Sequence, residues 1–115
     1  MLFYHVNARS LNRNFDKLQF SLNSINSKFS VVGVTETWFD DVNTLYSLCD
    51  LHGYNFEHSS TVGRGGGVAL YIDANHTYVH RPDLSVFFEV LIESLFAELI
   101  TSCNTSLLTG VVYYS

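Results

Sequence analysis

The sequence predicts an α/β fold built on a parallel sheet, and three observations predict it. A short apolar run, Leu2 to Val6, stops at Asn7 and reads as a buried strand. Leu11, Phe15, Leu18, Leu22 and Ile25 then recur at spacings of four, three, four and three, the apolar stripe of a helix. A β-branched run, Val31-Val-Gly-Val-Thr35, follows and stops at Glu36. Strand, helix and strand in that order form the βαβ unit of a parallel sheet.

Each element has a local reason. Ser10 precedes the helical stripe and offers a hydroxyl to the unpaired amides of its first turn. Asn23, Ser24, Asn26 and Ser27 weaken the far end of that stripe. If the two strands are parallel neighbours, Asn7 and Glu36 leave their carboxyl ends side by side, in the crevice where open α/β sheets place ligands. Asp40 and Asp41 suit the amino end of a second, shorter helix whose apolar face is Val42, Leu45, Tyr46 and Cys49. Gly53 closes that connection, Tyr54 to Glu57 reads as an edge strand, Val62 to Val68 as a turn, and Val68 to Ile72 as a strand. Leu84 to Ile100 fits both periods: Leu84, Phe88, Leu91, Leu95 and Leu99 suit a helix, whereas Leu95, Ala97 and Leu99 alternate as in a strand. Leu107 to Tyr113 reads as a final strand.

Composition narrows the function classes. The chain has 115 residues, 47% of them hydrophobic and only 15% charged. That balance is core-rich and suits a piece of a larger buried sheet, since soluble domains carry about 25% charged residues. Six basic residues face eleven acidic ones, a net charge of −5. Nucleic-acid binders ordinarily draw affinity from a basic patch; here Arg9, Arg13, Lys17, Lys28, Arg64 and Arg81 are scattered. Any contact with nucleic acid is therefore expected to run through a defined site. Cys49 and Cys103 lack metal-ligand spacing and read as buried thiols. Met1 leads into Leu-Phe-Tyr without a basic region or cleavage site, so no signal peptide is expected. Glu89, Glu93 and Glu98 interrupt the longest apolar stretch and argue against a membrane span.

Five motifs occur in order: Asn7-Ala-Arg-Ser-Leu11, Val34-Thr-Glu-Thr-Trp38, Gly65-Gly-Gly-Val-Ala-Leu-Tyr71, Glu93-Ser-Leu-Phe-Ala-Glu98 and Gly110-Val-Val-Tyr113. Together they resemble the amino-terminal half of the endonuclease domain of non-LTR (LINE-type) retrotransposons, a branch of the deoxyribonuclease-like endonuclease/exonuclease/phosphatase superfamily. The resemblance covers nearly the whole of residues 1–115.

The resemblance implies a partial four-layer α/β sandwich, one mixed sheet with helices on its outer face and the carboxyl-terminal half absent. The inner sheet face would then lie open as an apolar patch. It implies Mg²⁺ or Mn²⁺ as cofactor and DNA phosphodiesters as substrate. Glu36 matches the family's metal-binding glutamate, and Mg²⁺ accepts one or two carboxylates while keeping waters. Asn7 matches the asparagine beside that metal. Tyr113 matches a tyrosine whose hydroxyl positions the phosphate, although Tyr114 and Ser115 stand where the family continues with arginine and prolines. Implied partners are DNA, the remainder of the nuclease domain and a reverse transcriptase domain in the same polyprotein, in an intracellular and, where functional, nuclear setting.

Alternative readings stand beside these. Arg64 suits a phosphate contact or a brace for the glycine turn. Gly63-Arg-Gly-Gly-Gly67 is no dinucleotide fingerprint, because a strand follows where a helix should start. Trp38 reads as packing, and Glu93 and Glu98 as strand residues with one or both facing solvent. The family's later Asp-x-Asn, further aspartate and Asp-His pair have no counterpart after Tyr113, and Asp73-Ala-Asn75 comes in the wrong order. The chain by itself is therefore expected to be inert. A phosphomonoesterase of the same superfamily and a non-catalytic remnant are the competing functions.

Overall fold

A computed structural model describes residues 1–39, 49–59, 66–85, 92–102 and 104–114. Strand β1 (Phe3–Asn7) leads into helix α1 (Leu11–Ser24) and strand β2 (Val31–Thr35). Strands β3 (Tyr54–Ser59), β4 (Val68–Asp73) and β5 (Thr77–His80) follow. A 3₁₀ turn at Pro82–Leu84 precedes β6 (Ile92–Ser102) and β7 (Thr105–Tyr114).

The strand–helix–strand unit forms as the apolar runs predict. β1 and β2 pair in parallel, with Phe3 opposite Val31 and Asn7 opposite Thr35. Ser10 caps α1, its hydroxyl accepting from the Arg13 amide at 3.4 Å. Leu11, Phe15 and Leu18 are the buried residues of the helix. They form one cluster with Val32 and Val34 of β2 and Ala69 and Tyr71 of β4. Leu11 is fully buried, so truncating it to alanine would cost about 2–5 kcal/mol.

The fold class differs from the expected partial four-layer α/β sandwich. The described chain is mostly β, with two sheets and one α-helix rather than a layer of helices. The first sheet has strand order β1-β2-β4-β3, and the second has order β5-β6-β7. The physical reason lies in alternation along β2 and β4. Val32, Val34, Ala69 and Tyr71 face the helical cluster, whereas Val31, Val68, Leu70 and Ile72 face Leu95, Ala97, Leu99 and Val111 of β6 and β7. The second sheet therefore covers the face expected to lie open.

Two further differences concern single elements. Leu84 to Ile100 resolves in favour of a strand from Ile92 onward, because β6 pairs antiparallel with β5 on one side and β7 on the other. β5 had no forecast; only Tyr78 of its four residues packs against the second cluster. The predicted helix after Asp40 falls on residues 40–48, outside the described residues, as do Cys103 and most of the glycine turn. Cys49 is a free, buried thiol. Burial pushes its pKa up to about 11. Among the described residues, no helix is long and apolar enough to cross a membrane.

A candidate cation site at the rim of the first sheet

The parallel register fixes which residues meet at the rim. Asn7 ends β1 opposite Thr35, the last residue of β2, and Glu36 is the next residue along. Past the strands, three amides between the end of β1 and the start of α1 continue the ladder along residues 35–37. Ala8 donates to the Thr35 carbonyl at 2.9 Å, Ser10 to that of Glu36 at 3.0 Å, and Leu11 to that of Thr37 at 2.9 Å. On its other side the same segment donates to the chain entering β4. The Thr37 amide reaches the Gly67 carbonyl at 3.3 Å and the Trp38 amide reaches the Gly66 carbonyl at 2.9 Å. Glu36 thus sits in a segment hydrogen-bonded along both edges.

Backbone strain gathers at the same place. Among the described residues, the non-glycine residues with left-handed φ are Arg9 (46°), Ser10 (81°), Glu36 (55°) and Trp38 (53°). A side chain held in that region costs on the order of 1–3 kcal/mol and persists only where the surroundings over-determine it, as they do at ligand clamps and active sites. Asn14 supplies part of that constraint, its side-chain amide donating to the carbonyls of Ala8 and Arg9, each at 2.9 Å. It locks the loop between the asparagine and the helix.

Asn7 is exposed and Glu36 is half-buried, which suits hard oxygen donors that must meet a solvated ion. Tyr113 is half-buried near the end of β7, opposite Glu93 of β6, and packs against the second cluster. Trp38 is 41% exposed, less enclosed than a packing residue would be. Arg64 lies outside the described residues. Beside β1 and α1 is a pocket of ≈ 290 Å³ whose lining includes Asn7, Arg9, Asn14 and Lys17. Among the described residues, no three His, Cys, Asp or Glu side chains gather as a group able to hold a metal ion. A Mg²⁺ site needs only one or two carboxylates, with waters completing the shell, so the donors present fit that ion and would not suit one demanding several nitrogen or sulfur ligands.

Sequence reasoning set Glu93 and Glu98 along a strand with one or both facing solvent and gave Glu93 no part in the rim; both lie in β6, and Glu93 is buried, at 5% exposed. Both carboxylate oxygens accept from the Gly67 amide, at 3.0 and 2.9 Å. The signal that could have found it is the glycine run before β4, where a partner occupies the room a side chain would need. Glu98 on the same strand is only partly buried, and its carboxylate accepts from Arg81 at 2.7 Å and from Ser106 at 2.7 Å.

No protein-family model matches this chain, and no curated protein matches it.

Proposed function

We propose that this chain forms part of a divalent-cation-dependent nuclease that hydrolyses DNA phosphodiester bonds, with Glu36 as the cation's carboxylate ligand. The observation that carries the proposal is the parallel register that ends β1 and β2 together, leaving Asn7 and Glu36 on one strained and doubly hydrogen-bonded rim. The order of the five motifs supports the same reading.

When bound, Mg²⁺ would stabilise charge on the scissile phosphate and on the leaving oxygen. Glu36 supplies a hard anionic oxygen to the ion. The Asn7 amide, exposed at the neighbouring strand end, donates a hydrogen bond to a phosphate oxygen or to the carboxylate and so orients one toward the other. The Tyr113 hydroxyl donates to a phosphate oxygen from the second sheet. The resemblance assigns to none of these three groups the task of taking the proton of an attacking water. Groups that act as one catalytic unit do not substitute for one another, so the three alone do not complete a hydrolytic site.

The test is nicking of supercoiled plasmid in Mg²⁺. The chain alone leaves the plasmid supercoiled. Joined to the carboxyl-terminal half of an active retrotransposon endonuclease, it nicks, and Glu36→Ala abolishes that activity. Nicking that survives Glu36→Ala overturns the reading. Phosphate release from an inositol phosphate in place of nicking moves it to a phosphomonoesterase.

A further inference from the structure

A buried carboxylate is costly unless its acceptors are filled, and the position of Glu93 shows what the cost secures. Its oxygens hold the Gly67 amide. Gly67 has φ of 100°, a conformation that side chains rarely adopt. A β-carbon on Gly66 would collide with Oε1 of Glu93 and stand 3.1 Å from its carboxyl carbon. The carbonyls of these two glycines are the acceptors for the amides of Thr37 and Trp38. A single chain of contacts therefore runs from Glu93, through Gly66 and Gly67, to the two residues that follow Glu36.

We propose that Glu93 is a positioning residue for the cation site: by clamping Gly66 and Gly67 it fixes Thr37 and Trp38, and through them the placement of Glu36 at the rim. The role in cation binding rests on the reading of Glu36 given above; the backbone clamp does not. In this role Glu93 acts through the backbone and not as a ligand of the ion. Its removal should loosen the segment and weaken the ion's hold without changing any ligand.

The experiment compares the intact chain with Glu93→Ala, Glu93→Gln and Gly66→Ala, using two readouts. One is amide hydrogen exchange at Thr37 and Trp38; the other is Mn²⁺ affinity from water-proton relaxation. Glu93→Ala should speed exchange at both amides by about tenfold or more, since a local opening then suffices. It should lower Mn²⁺ affinity about 10- to 100-fold, the usual loss when a group supporting a metal ligand is removed. Glu93→Gln keeps an oxygen acceptor and should stay near wild type in both. Gly66→Ala displaces the carboxylate without deleting it and should resemble Glu93→Ala, so it decides the matter if Glu93→Ala does not fold. If neither alanine variant folds, Glu93→Asp, which shortens the reach by one methylene, must show the same two effects in weaker form. A folded Glu93→Ala or Gly66→Ala chain with wild-type exchange at Thr37 and Trp38, or with unchanged Mn²⁺ affinity, overturns the proposal. A wild-type chain whose Mn²⁺ binding ignores Glu36→Ala sinks the cation reading instead, and the exchange arm still decides the clamp.

Discussion

The amide of Ser10 donates to the carbonyl of Glu36 at 3.0 Å, so the residue that caps α1 also holds the residue proposed to ligate the cation. Ser10 does this with φ of 81°, in the left-handed region. Its hydroxyl accepts from the Arg13 amide at 3.4 Å, a long cap.

Two substitutions separate those roles. Ser10→Ala loses the cap and keeps a β-carbon in a strained backbone, and should lower unfolding free energy by about 1 kcal/mol. Ser10→Gly loses the cap but relieves the strain, and should cost only a few tenths of that unit. Urea denaturation of both variants checks the order. Equal losses would show that strain at this position is unimportant.

Gly110 of β7 lies opposite Phe96 of β6. A β-carbon there would collide with Cδ1 of the Phe96 ring and stand 3.0 Å from its Cγ. The ring covers the glycine and takes the place of its missing side chain. Gly110→Ala should destabilise the chain by about 1–3 kcal/mol through forced repacking. Combining it with Phe96→Leu should recover part of that loss. A Gly110→Ala midpoint equal to wild type would contradict the packing described.

Asp73 ends β4 and gives a pH signature. Burial alone would raise its pKa, but the Asn75 amide at 2.9 Å and the Lys28 ammonium at 3.2 Å outweigh burial and hold it below the ordinary carboxylate value. A carboxyl whose pKa is depressed on folding contributes stability above its unfolded pKa, about 3.9, and that contribution is lost as pH falls through the folded value. Wild type should therefore exceed Asp73→Asn in stability at pH 7, and the gap should narrow as pH falls below about 4. A gap that stays constant with pH would mean that the charge of Asp73 contributes nothing.

How far the sequence carries can be judged from particular elements. β1, α1 and β2 were legible because β1 and β2 are short apolar runs, α1 carries the helical period and Ser10 marks the helix start. β6 was ambiguous because Leu95 and Leu99 serve both periods, and only its pairing on two sides decides for the strand. β5 was invisible because three of its four residues are exposed and leave no apolar pattern. The second sheet was missed for a related reason. Runs buried on both faces, such as Val68–Asp73, do not say whether a helix or another sheet covers each face. At the rim, the parallel pairing that sets Asn7 opposite Thr35, the neighbour of Glu36, was readable. The burial of Glu93 was not readable, because a carboxylate in a strand usually faces water and the Gly67 amide it accepts from lies 26 residues away in sequence.

The rim joining the ends of β1 and β2 is proposed to hold a divalent cation through Glu36, and Mn²⁺ titration of the intact chain, followed by water-proton relaxation, is the decisive measurement. One saturable site is expected, weakened at least about tenfold by Glu36→Ala and competed by Mg²⁺. Saturable binding that Glu36→Ala leaves untouched, or no saturable binding by the folded chain, would contradict it.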